Sequence, residues 1–246
     1  MSKIIILGAT SAIAEQCARL WAGENAHLHL IARDATRLAQ VAADLQARGA
    51  GSVTLHVHDM RDRVALAASL SAASADGQPI DVALVAHGTL PDQARSEADA
   101  EYAVAEFDNN AIATIAALTM LANRMQIQGS GTIAVISSVA GDRGRPSNYL
   151  YGSAKGAVSI FCDGLRARLF GKGVNVLAVK PGFVDTPMTK SLVLPSLLVA
   201  TPERVARDIA RAVRNRRGTL YTPFWWRYIM LVIRLIPEPV FKRMKL

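Results

Sequence analysis

Residues 3–16, KIIILGATSAIAEQ, decide the expected fold because they join a buried strand, a tight turn and the start of a helix. The apolar run ends at Gly8, and Ser11 is placed to cap the helix that follows. A dinucleotide-binding turn needs small residues there, so that backbone N–H groups can approach a pyrophosphate. Ala12 and Ala14 stand where such turns usually carry glycine, so an ordinary strand–helix turn is the alternative. The candidate cofactor contacts of this turn are Gly8, Thr10, Ser11, Ala12 and Ile13.

Strand-like and helix-like segments alternate along the rest of the chain. The strand-like segments are KIIILGA, HLHLIAR, SVTLHVHD, DVALVAHG, GTIAVISS and VNVLAVKPG. The expected helices cover Ser11 to about Gly23, Asp34–Arg48, Arg63–Ala75, Ala98 to about Met125, Tyr149–Phe170 and Pro202–Asn215. This alternation predicts βαβ units with right-handed crossovers, and the continuous apolar strands predict a sheet covered on both faces. The expected fold class is α/β, a doubly wound Rossmann-type parallel sheet over residues 1–222, with residues 223–246 as an amphipathic basic extension of the same domain.

The composition is that of a globular protein, and its charge is unevenly distributed. The chain has 246 residues, 51% of them hydrophobic, and a formal net charge of +8. The segment from Glu203 to Leu246 carries this whole excess, which suits binding to nucleic acid, anionic lipid or an acidic ligand, or a set of solvated helix faces. Cys17 and Cys162 lie in apolar helical segments without metal-ligand spacing. We therefore expect buried, reduced thiols, a cytoplasmic protein and no metal site.

The end of the second strand-like segment, LIARD, bears on the choice of cofactor. An acidic side chain facing the ribose would accept hydrogen bonds from its 2′-hydroxyl and repel a 2′-phosphate. No acidic residue takes that position here, and Arg33 offers a guanidinium that suits a phosphate. Asp34, which follows, can instead cap the next helix. The expected cofactor is therefore NADP(H) in preference to NAD(H).

Further candidate cofactor contacts end the third and fourth strands, where ligands bind in open α/β sheets. They are Asp59, Met60, Ala86, His87 and Gly88. His87 could be a catalyst, but a lone histidine at a strand end is more often structural.

The stretch NYLYGSAKGA, Asn148–Ala157, holds a candidate catalytic pair. Tyr151 and Lys155 are four residues apart and share a helix face, whereas Tyr149 lies about 200° round the helix from Tyr151. A phenol has a pKa of about 10, and a nearby ammonium stabilises the phenolate and draws that pKa down. Tyr151 can then donate a proton to a carbonyl oxygen or remove one from an alcohol. The same spacing also arises by chance in many helices.

Other polar residues strengthen the catalytic interpretation. Ser138 ends the fifth strand and can hydrogen-bond a substrate oxygen beside the tyrosine. Asn110, inside the long helix, can hold a water that connects Lys155 to solvent as a proton relay. The stretch KPGFVDTPM follows the sixth strand, and Thr186 within it can bond the carboxamide of a nicotinamide. The candidate cofactor contacts here are Pro181, Gly182, Val184 and Thr186.

Together these residues resemble the short-chain dehydrogenase/reductase family over residues 3 to about 215. The resemblance rests on the small-residue turn at Gly8 and on Asn110, Ser138, Tyr151-x-x-x-Lys155 and Pro181-Gly182. It implies hydride transfer between nicotinamide C4 and a substrate carbon, and a homodimer or homotetramer. The departure from the family pattern is the alanine pair in the turn.

The resemblance also implies a role for each member of a catalytic tetrad. Tyr151 is the acid/base, and Ser138 orients and polarises the carbonyl. Lys155 lowers the pKa of the tyrosine and binds the nicotinamide ribose, while Asn110 supports the relay. Asn110 is chosen over Asn109 because the family's asparagine precedes a small-residue helical run such as AIATIAAL.

The last segment, TPFWWRYIMLVIRLIPEPVFKRMKL, joins an apolar helix to basic residues. Arg227 and Arg234 are seven residues apart and fall within about 20° on one helical stripe. The apolar stretch Phe224–Ile236 covers roughly 20 Å as a helix, which is short of the roughly 30 Å of a bilayer core. Such a segment can lie in the interface of an anionic membrane, pack over the substrate pocket or form a subunit interface.

The whole chain also resembles one subgroup, the decaprenylphosphoryl-2-keto-pentose reductases. The matching stretches are ILGATSAIA, VAHGTLPD, GDRGRPSNYLYGSAKGA and WRYIMLVIRLIPEPVFKRM. This resemblance implies a polyprenyl-phosphate-linked keto-sugar as substrate, a nicotinamide reductant and a partner flavoenzyme. A tail that meets the membrane and offers cations to a phosphodiester suits such a substrate, so we expect a peripheral location on the inner face of the cell membrane.

Two other classes of function compete with a reductase. A regulatory or scaffolding protein could bind the cofactor on the same fold, but a pure binder has no use for Tyr151 and Lys155 together. Nucleic-acid binding through the basic tail is the other class. The charges of the tail are interleaved with aliphatic residues more than on a phosphate-tracking surface, so we expect no nucleic-acid partner.

Overall fold

Nine strands form two sheets in a computed structural model that describes residues 1–190, 192 and 194–244. In chain order the strands are β1 (Lys3–Leu7), β2 (His27–Ala32), β3 (Ser52–Val57), β4 (Val82–Val85), β5 (Thr132–Ile136), β6 (Asn175–Pro181), β7 (Phe183–Val184), β8 (Val199–Ala200) and β9 (Thr219–Thr222). Seven of them make one parallel sheet in the order β3-β2-β1-β4-β5-β6-β9, and β7 pairs with β8. The predicted parallel α/β sheet is confirmed.

Helices flank this sheet. They are α1 (Ala12–Ala22), α2 (Ala35–Ala47), α3 (Arg63–Ala72), α4 (Gln93–Ala98), α5 (Ala100–Phe107), α6 (Ala113–Gln128), α7 (Tyr149–Leu169), α8 (Pro202–Arg214), α9 (Trp226–Leu235) and α10 (Glu238–Phe241). A π-helical turn, Asp108–Ile112, joins α5 to α6, and a 3₁₀ turn, Val139–Asp142, follows β5.

The direction of strand order reverses at β1. Leu7, its last residue, pairs with Ile31 of β2 on one side and Val85 of β4 on the other. The chain connections on the two sides of β1 therefore run in opposite directions along the sheet. This reversal leaves a crevice at the carboxyl ends of the strands. The turn at Gly8 opens directly into that crevice.

Both faces of the sheet are covered by core. All five residues of β1 are buried. Ile4 and Ile6 join the core on one face, and Ile5 and Leu7 join the core on the other, as the alternation of side chains in a strand requires. Both cysteines are free and buried within these cores, as predicted.

The largest differences from the sequence-based expectation concern one helix and one strand, and the short elements α4, β7 and β8 were also not expected. The long helix expected from Ala98 to Met125 is α5 and α6 with the π-helical turn between them. The strand β9 was missed because its four residues alternate in burial and lack the continuous apolar run of the other strands. It extends the sheet beside β6 and forms one edge.

The C-terminal segment folds back onto the sheet. Trp226 and Met230 of α9 are buried against Val139 and the partly buried Phe183 and Leu198. No helix among the described residues is long and apolar enough to cross a membrane.

Candidate active site

A cavity of about 310 Å³ opens at the carboxyl ends of the strands. The β1–α1 turn, the ends of β4, β5 and β6 and the start of α7 form its wall. The predicted site residues that line it are Gly8, Thr10, Ser11, Ala12, Ile13, Arg33, Met60, Ala86, His87, Gly88, Ser138, Tyr151, Lys155, Pro181, Gly182, Val184 and Thr186. Asn110 and Asp59 are the two predicted residues that do not line it.

The helix α7 brings Tyr151 and Lys155 to the same wall. Lys155 Nζ lies 5.6 Å from the centroid of the Tyr151 ring. Tyr149, at the first position of the helix, is 44% exposed and does not line the cavity. The helical phase thus separates the two tyrosines in the way their spacing predicts.

The pKa of Tyr151 lies above the ordinary value for a phenol. Burial raises it to about 12, and a hydrogen bond with Ser138 acts in the opposite direction. The expected net lowering of this pKa is therefore not found, because burial outweighs the hydrogen bond that favours the phenolate. The Lys155 ammonium donates to the carbonyl oxygen of Ile136 at 3.1 Å. At neutral pH, Tyr151 is therefore a protonated phenol.

The two serines that follow β5 have different partners. Ser138 caps the 3₁₀ turn, and its Oγ accepts a hydrogen bond from the backbone N–H of Ala140 at 3.1 Å. The hydroxyl proton of Ser138 remains to be donated toward Tyr151 or a substrate oxygen. Ser137 Oγ donates to the backbone carbonyl of Lys155 at 2.9 Å and lies 2.8 Å from Ser159 Oγ. Ser137 thereby fixes the end of β5 to α7.

Lys155 is 3% exposed, and desolvation lowers its pKa to about 8. Gly88 leaves room for this ammonium. A Cβ on Gly88 would lie 3.2 Å from Lys155 Nζ and 2.8 Å from Asn110 Oδ1. Lys155 and Asn110 therefore approach the same point at the end of β4.

Asn110 is fully buried in the π-helical turn. Its Oδ1 accepts from the Thr89 N–H at 2.9 Å, and its Nδ2 donates to Thr89 Oγ1 and the Glu106 carbonyl, each at 3.0 Å. The Thr89 hydroxyl donates to the Glu106 carboxylate at 2.6 Å. The side chain of Asn110 thus holds the segment after Gly88 beside Lys155, and its proton-relay role stays a prediction.

The β1–α1 turn requires glycine at its first position. Gly8 has a φ of +79°, and a Cβ there would lie 2.7 Å from the backbone nitrogen of His87. Ser11 takes the N-cap position as predicted, but its side chain makes no capping hydrogen bond within the described structure. The first-turn N–H groups of α1 are therefore available at the cavity wall. Ala14 is fully buried in the core, so alanine is accommodated there.

Arg33 lines the cavity, and Asp59 lies behind it. Arg33 Nη1 is 3.6 Å from Asp59 Oδ2, and the Arg33 side chain is 57% exposed. Asp59 also accepts from the backbone N–H and the Nε of Arg61 at 2.8 and 3.0 Å. The hydrogen bonds from Arg61 lower the pKa of Asp59 to about 2, against an opposing effect of burial. Asp59 is thus ionised at neutral pH and pairs with Arg33 and Arg61.

The predicted helix cap after Arg33 is confirmed. Asp34 Oδ1 accepts from the backbone N–H of Arg37 at 3.0 Å. The side chain of Arg37 also lines the cavity, where it donates to Glu15 at 2.9 Å. Sequence reasoning missed Arg37, although its position one helical turn inside α2, just after Arg33, could have suggested it.

His87 is held by the backbone. Its Nε2 donates to the carbonyl of Asn109 at 2.9 Å, and burial together with the nearby Lys155 lowers its pKa. A neutral imidazole that ties β4 to the π-helical turn fits the structural interpretation of this histidine.

The C-terminal segment packs behind the part of the cavity wall that Gly182 forms. A Cβ on Gly182 would overlap the indole ring of Trp226. Arg143, in the loop between β5 and α7, donates to the carbonyls of Ile233 and Ile236 at 2.5 and 2.6 Å, and it stacks 3.6 Å above the ring of Phe241. The sequence carried no signal for these contacts. Other lining residues that it did not single out are Ala32, His58, Ile136, Ser137, Pro187, Met188 and Thr189.

The cavity fits a nicotinamide dinucleotide. The N-terminus of α1 would hold its pyrophosphate, Arg33 would face its adenosine ribose, and Lys155 would bind its nicotinamide ribose. These residues would hold the cofactor at the crevice.

Comparison with known proteins establishes the family. Residues 2–195 match the family described as short chain dehydrogenase. An uncharacterised oxidoreductase of Mycobacterium tuberculosis is 41% identical over 243 residues, which cover 99% of this chain and 97% of that protein. The ketoacyl reductase HetN of a Nostoc strain is 30% identical over 226 residues, covering 87% and 75%. The chain therefore belongs to the short-chain dehydrogenase/reductase family, whose members use NAD(P)(H), and it is an oxidoreductase of that family.

A solved structure supports the fold independently. The crystal structure of levodione reductase superposes with a TM-score of 0.82 at 21% identity, covering 90% of this chain and 95% of that one. The likeness concerns the fold alone.

Proposed function

We propose that this protein catalyses the NADP(H)-dependent reduction of a carbonyl group, and the reverse oxidation of an alcohol with the same residues. The observation that carries the proposal is the protonated phenol of Tyr151 in the cavity wall, in contact with Ser138 and close to Lys155. A phenol that keeps its proton at neutral pH is suited to protonating a carbonyl oxygen.

Each side chain has a distinct task in this reduction. NADPH, when bound, supplies a hydride from its nicotinamide C4 to the carbonyl carbon. The hydroxyl of Ser138 donates a hydrogen bond to the carbonyl oxygen and stabilises the negative charge that develops there. Tyr151 transfers its proton to that oxygen, which completes the alcohol. The ammonium of Lys155 stabilises the phenolate that remains until it regains a proton.

The arginines at the adenosine end support the preference for NADP(H). Arg33 is exposed at the cavity wall, and Arg37 lies on the same wall. A 2′-phosphate would find two guanidiniums and no carboxylate lining the cavity, since Asp34 caps α2 and Asp59 is engaged by Arg61.

We also propose a lipid-linked substrate, a polyprenyl-phosphate-linked keto-sugar, met at the inner surface of the cell membrane. Support comes from α9, where Leu231, Val232 and Leu235 are all more than half exposed. An exposed apolar helix face suits contact with the hydrocarbon portion of a lipid-linked substrate. A flavoenzyme partner and assembly into a homodimer or homotetramer belong to the same proposal.

The first test is a parallel titration of the purified protein with NADPH and NADH, followed by nucleotide fluorescence. Tight binding of NADPH and weak binding of NADH is the expected result. Equal binding would contradict the role of Arg33, and binding of neither nucleotide would remove the cofactor from the proposal.

The second test is turnover of carbonyl substrates by wild-type protein and by Tyr151→Phe. Polyprenyl-phosphate keto-sugars are presented with and without liposomes, beside soluble ketones. Loss of NADPH consumption in the variant, with nucleotide binding unchanged, is expected. Turnover that survives the substitution would exclude Tyr151 as the acid, and nucleotide binding without any turnover would favour a scaffold.

A further inference from the structure

A second concavity lies at the edge of the sheet, away from the catalytic cavity. We call it the basic groove; it is about 850 Å³ in volume and shares no lining residue with the catalytic cavity. The edge strand β9 forms its floor, and α8 and α9 form its walls. Its lining residues are Arg204, Asp208, Arg211, Ala212, Arg217, Thr219, Leu220, Tyr221, Phe224, Arg227, Tyr228, Leu231 and Arg234.

The groove concentrates positive charge. Five of its thirteen lining residues are arginines, and Asp208 is its one acidic lining residue. Asp208 already accepts from Thr222 at 2.8 Å and pairs with Arg204 at 3.4 Å. Within the described part of the chain, the guanidiniums of the other four arginines make no hydrogen bond or ion pair.

Two helices build this charge from opposite sides. Arg204 and Arg211 are seven residues apart on α8, and Arg227 and Arg234 are seven apart on α9. A spacing of seven returns to nearly the same side of a helix, so each helix presents a stripe of arginines to the groove. Arg217, just before β9, adds a fifth guanidinium.

Such an arrangement is self-repelling, and an anion would relieve it. Like charges that face one another destabilise the folded state. Guanidiniums bind phosphate oxygens through paired N–H donors, which makes phosphate the matching anion. A second copy of this chain related by a two-fold axis would bring the same arginines face to face, so it does not suit the groove.

The rim of the groove is apolar and exposed. Phe224, Tyr228 and Leu231 line the groove and are 65%, 61% and 54% exposed. Val232 and Leu235 continue the same side of α9 at 63% and 73% exposure. Aromatic and aliphatic side chains beside arginines match the headgroup and upper acyl region of a lipid surface better than the continuous phosphate path of a nucleic acid.

We propose that the basic groove binds the phosphate headgroups of an anionic lipid surface, with the apolar rim of α9 entering the interface. The basic groove would thus be the site at which the protein contacts the membrane that carries the proposed lipid-linked substrate. This proposal does not depend on the reductase assignment, so its test measures binding rather than turnover.

The test is co-sedimentation of the full-length protein with vesicles of phosphatidylcholine alone or mixed with phosphatidylglycerol. Wild-type protein should sediment with the mixed vesicles only. Arg211→Gln/Arg227→Gln should weaken this binding about 30-fold, since each arginine near such a surface contributes about fivefold. Both side chains are exposed and make no hydrogen bond or ion pair with the described residues, so the variant should fold.

The matched control is Arg63→Gln/Lys172→Gln, which removes the same charge from exposed positions that do not line the groove. It should bind within about threefold of wild type, because salt screens charges remote from the surface. Equal loss in both variants would overturn the proposal in favour of a net-charge effect, and so would failure of wild type to bind mixed vesicles.

A second arm separates the source of the phosphate. Inorganic pyrophosphate, short-chain phosphatidylglycerol below its micelle concentration and duplex DNA are titrated into the same proteins. Pyrophosphate or DNA that binds through the groove, while vesicles do not, would overturn the lipid assignment. NADPH binding that is unchanged in the groove variant keeps this outcome distinct from a failure of the reductase proposal.

Discussion

The catalytic cavity and the basic groove hold their positive charges in opposite ways. In the cavity, Lys155 is 3% exposed and donates to a backbone carbonyl, so its position is fixed and its pKa is lowered. In the groove, Arg211 and Arg227 are exposed and make no hydrogen bond or ion pair with the described residues, so no such contact fixes their positions. Burial shifts the pKa of an ionisable side chain toward the range in which it exchanges protons. An exposed guanidinium instead remains accessible to an anionic ligand.

The strongest test of the cavity is Tyr151→Phe. If the phenol donates the proton as proposed, kcat for carbonyl reduction should fall about 10²- to 10⁴-fold. Tyr149→Phe is the matched control, since that ring is exposed and does not line the cavity. Steady-state kinetics of both variants provide the comparison. Equal losses of kcat in the two variants would contradict the assignment of the acid to Tyr151 rather than to Tyr149.

The next effect concerns the contact between the cavity and the C-terminal segment. Gly182→Ala places a methyl group where the Trp226 indole lies, so the free energy of unfolding should fall by about 1–3 kcal/mol. Gly164→Ala is the control, because nothing lies within 4 Å of its Cβ position in the middle of α7. The control should leave stability unchanged or raise it by up to about 1 kcal/mol. Urea denaturation measures both variants, and an unchanged Gly182→Ala protein would mean that α9 does not pack there.

The third prediction uses pH to separate the two sites. The charge of Lys155 is present below its pKa of about 8 and lost above it, while Tyr151, with a pKa of about 12, stays protonated. Carbonyl reduction should therefore fall about tenfold in kcat/KM from pH 7 to pH 9. Lys155→Met should have a low and flat profile over this range. Vesicle binding by the groove should not change, because arginine keeps its charge at these pH values. A wild-type rate that is constant to pH 10 would contradict the role given to Lys155.

The smallest expected effect is at Arg33. Removal of one exposed guanidinium, Arg33→Ala, should weaken NADPH binding about five- to tenfold and leave NADH binding nearly unchanged. Arg61→Ala is a useful comparison, because Arg61 binds Asp59 and does not line the cavity. Fluorescence titration of the two nucleotides gives both ratios. Equal weakening of NADPH and NADH would show that Arg33 supports the wall of the cavity rather than the 2′-phosphate.

Local sequence patterns predicted the residues whose roles follow from spacing along one element. Tyr151 and Lys155 are four apart on α7, and that spacing alone placed them on one wall of the cavity. Gly8 directly follows a buried strand, and its positive φ is the backbone conformation that the turn there requires. Such features depend on a few neighbouring residues, so a single sequence contains them.

Features that depend on burial or on distant elements could not be predicted in this way. The pKa of Tyr151 was expected to fall, but burial in the cavity wall raises it. The hydrogen bonds of the Asn110 side chain to Thr89 and to the backbone of Glu106 join elements that the sequence alone does not bring together. The strand β9 was missed because only its pairing with β6 identifies it.

The amino-acid sequence by itself determined the alternation of strands and helices, the turn at Gly8 and the order of the catalytic side chains, because periodicity and backbone preference act over short distances. Tertiary structure decided that the Trp226 indole packs against Gly182 and that arginines from α8 and α9 line one groove beside β9. These contacts join residues far apart in the chain, and their geometry comes from helix packing on the sheet, which no local pattern encodes.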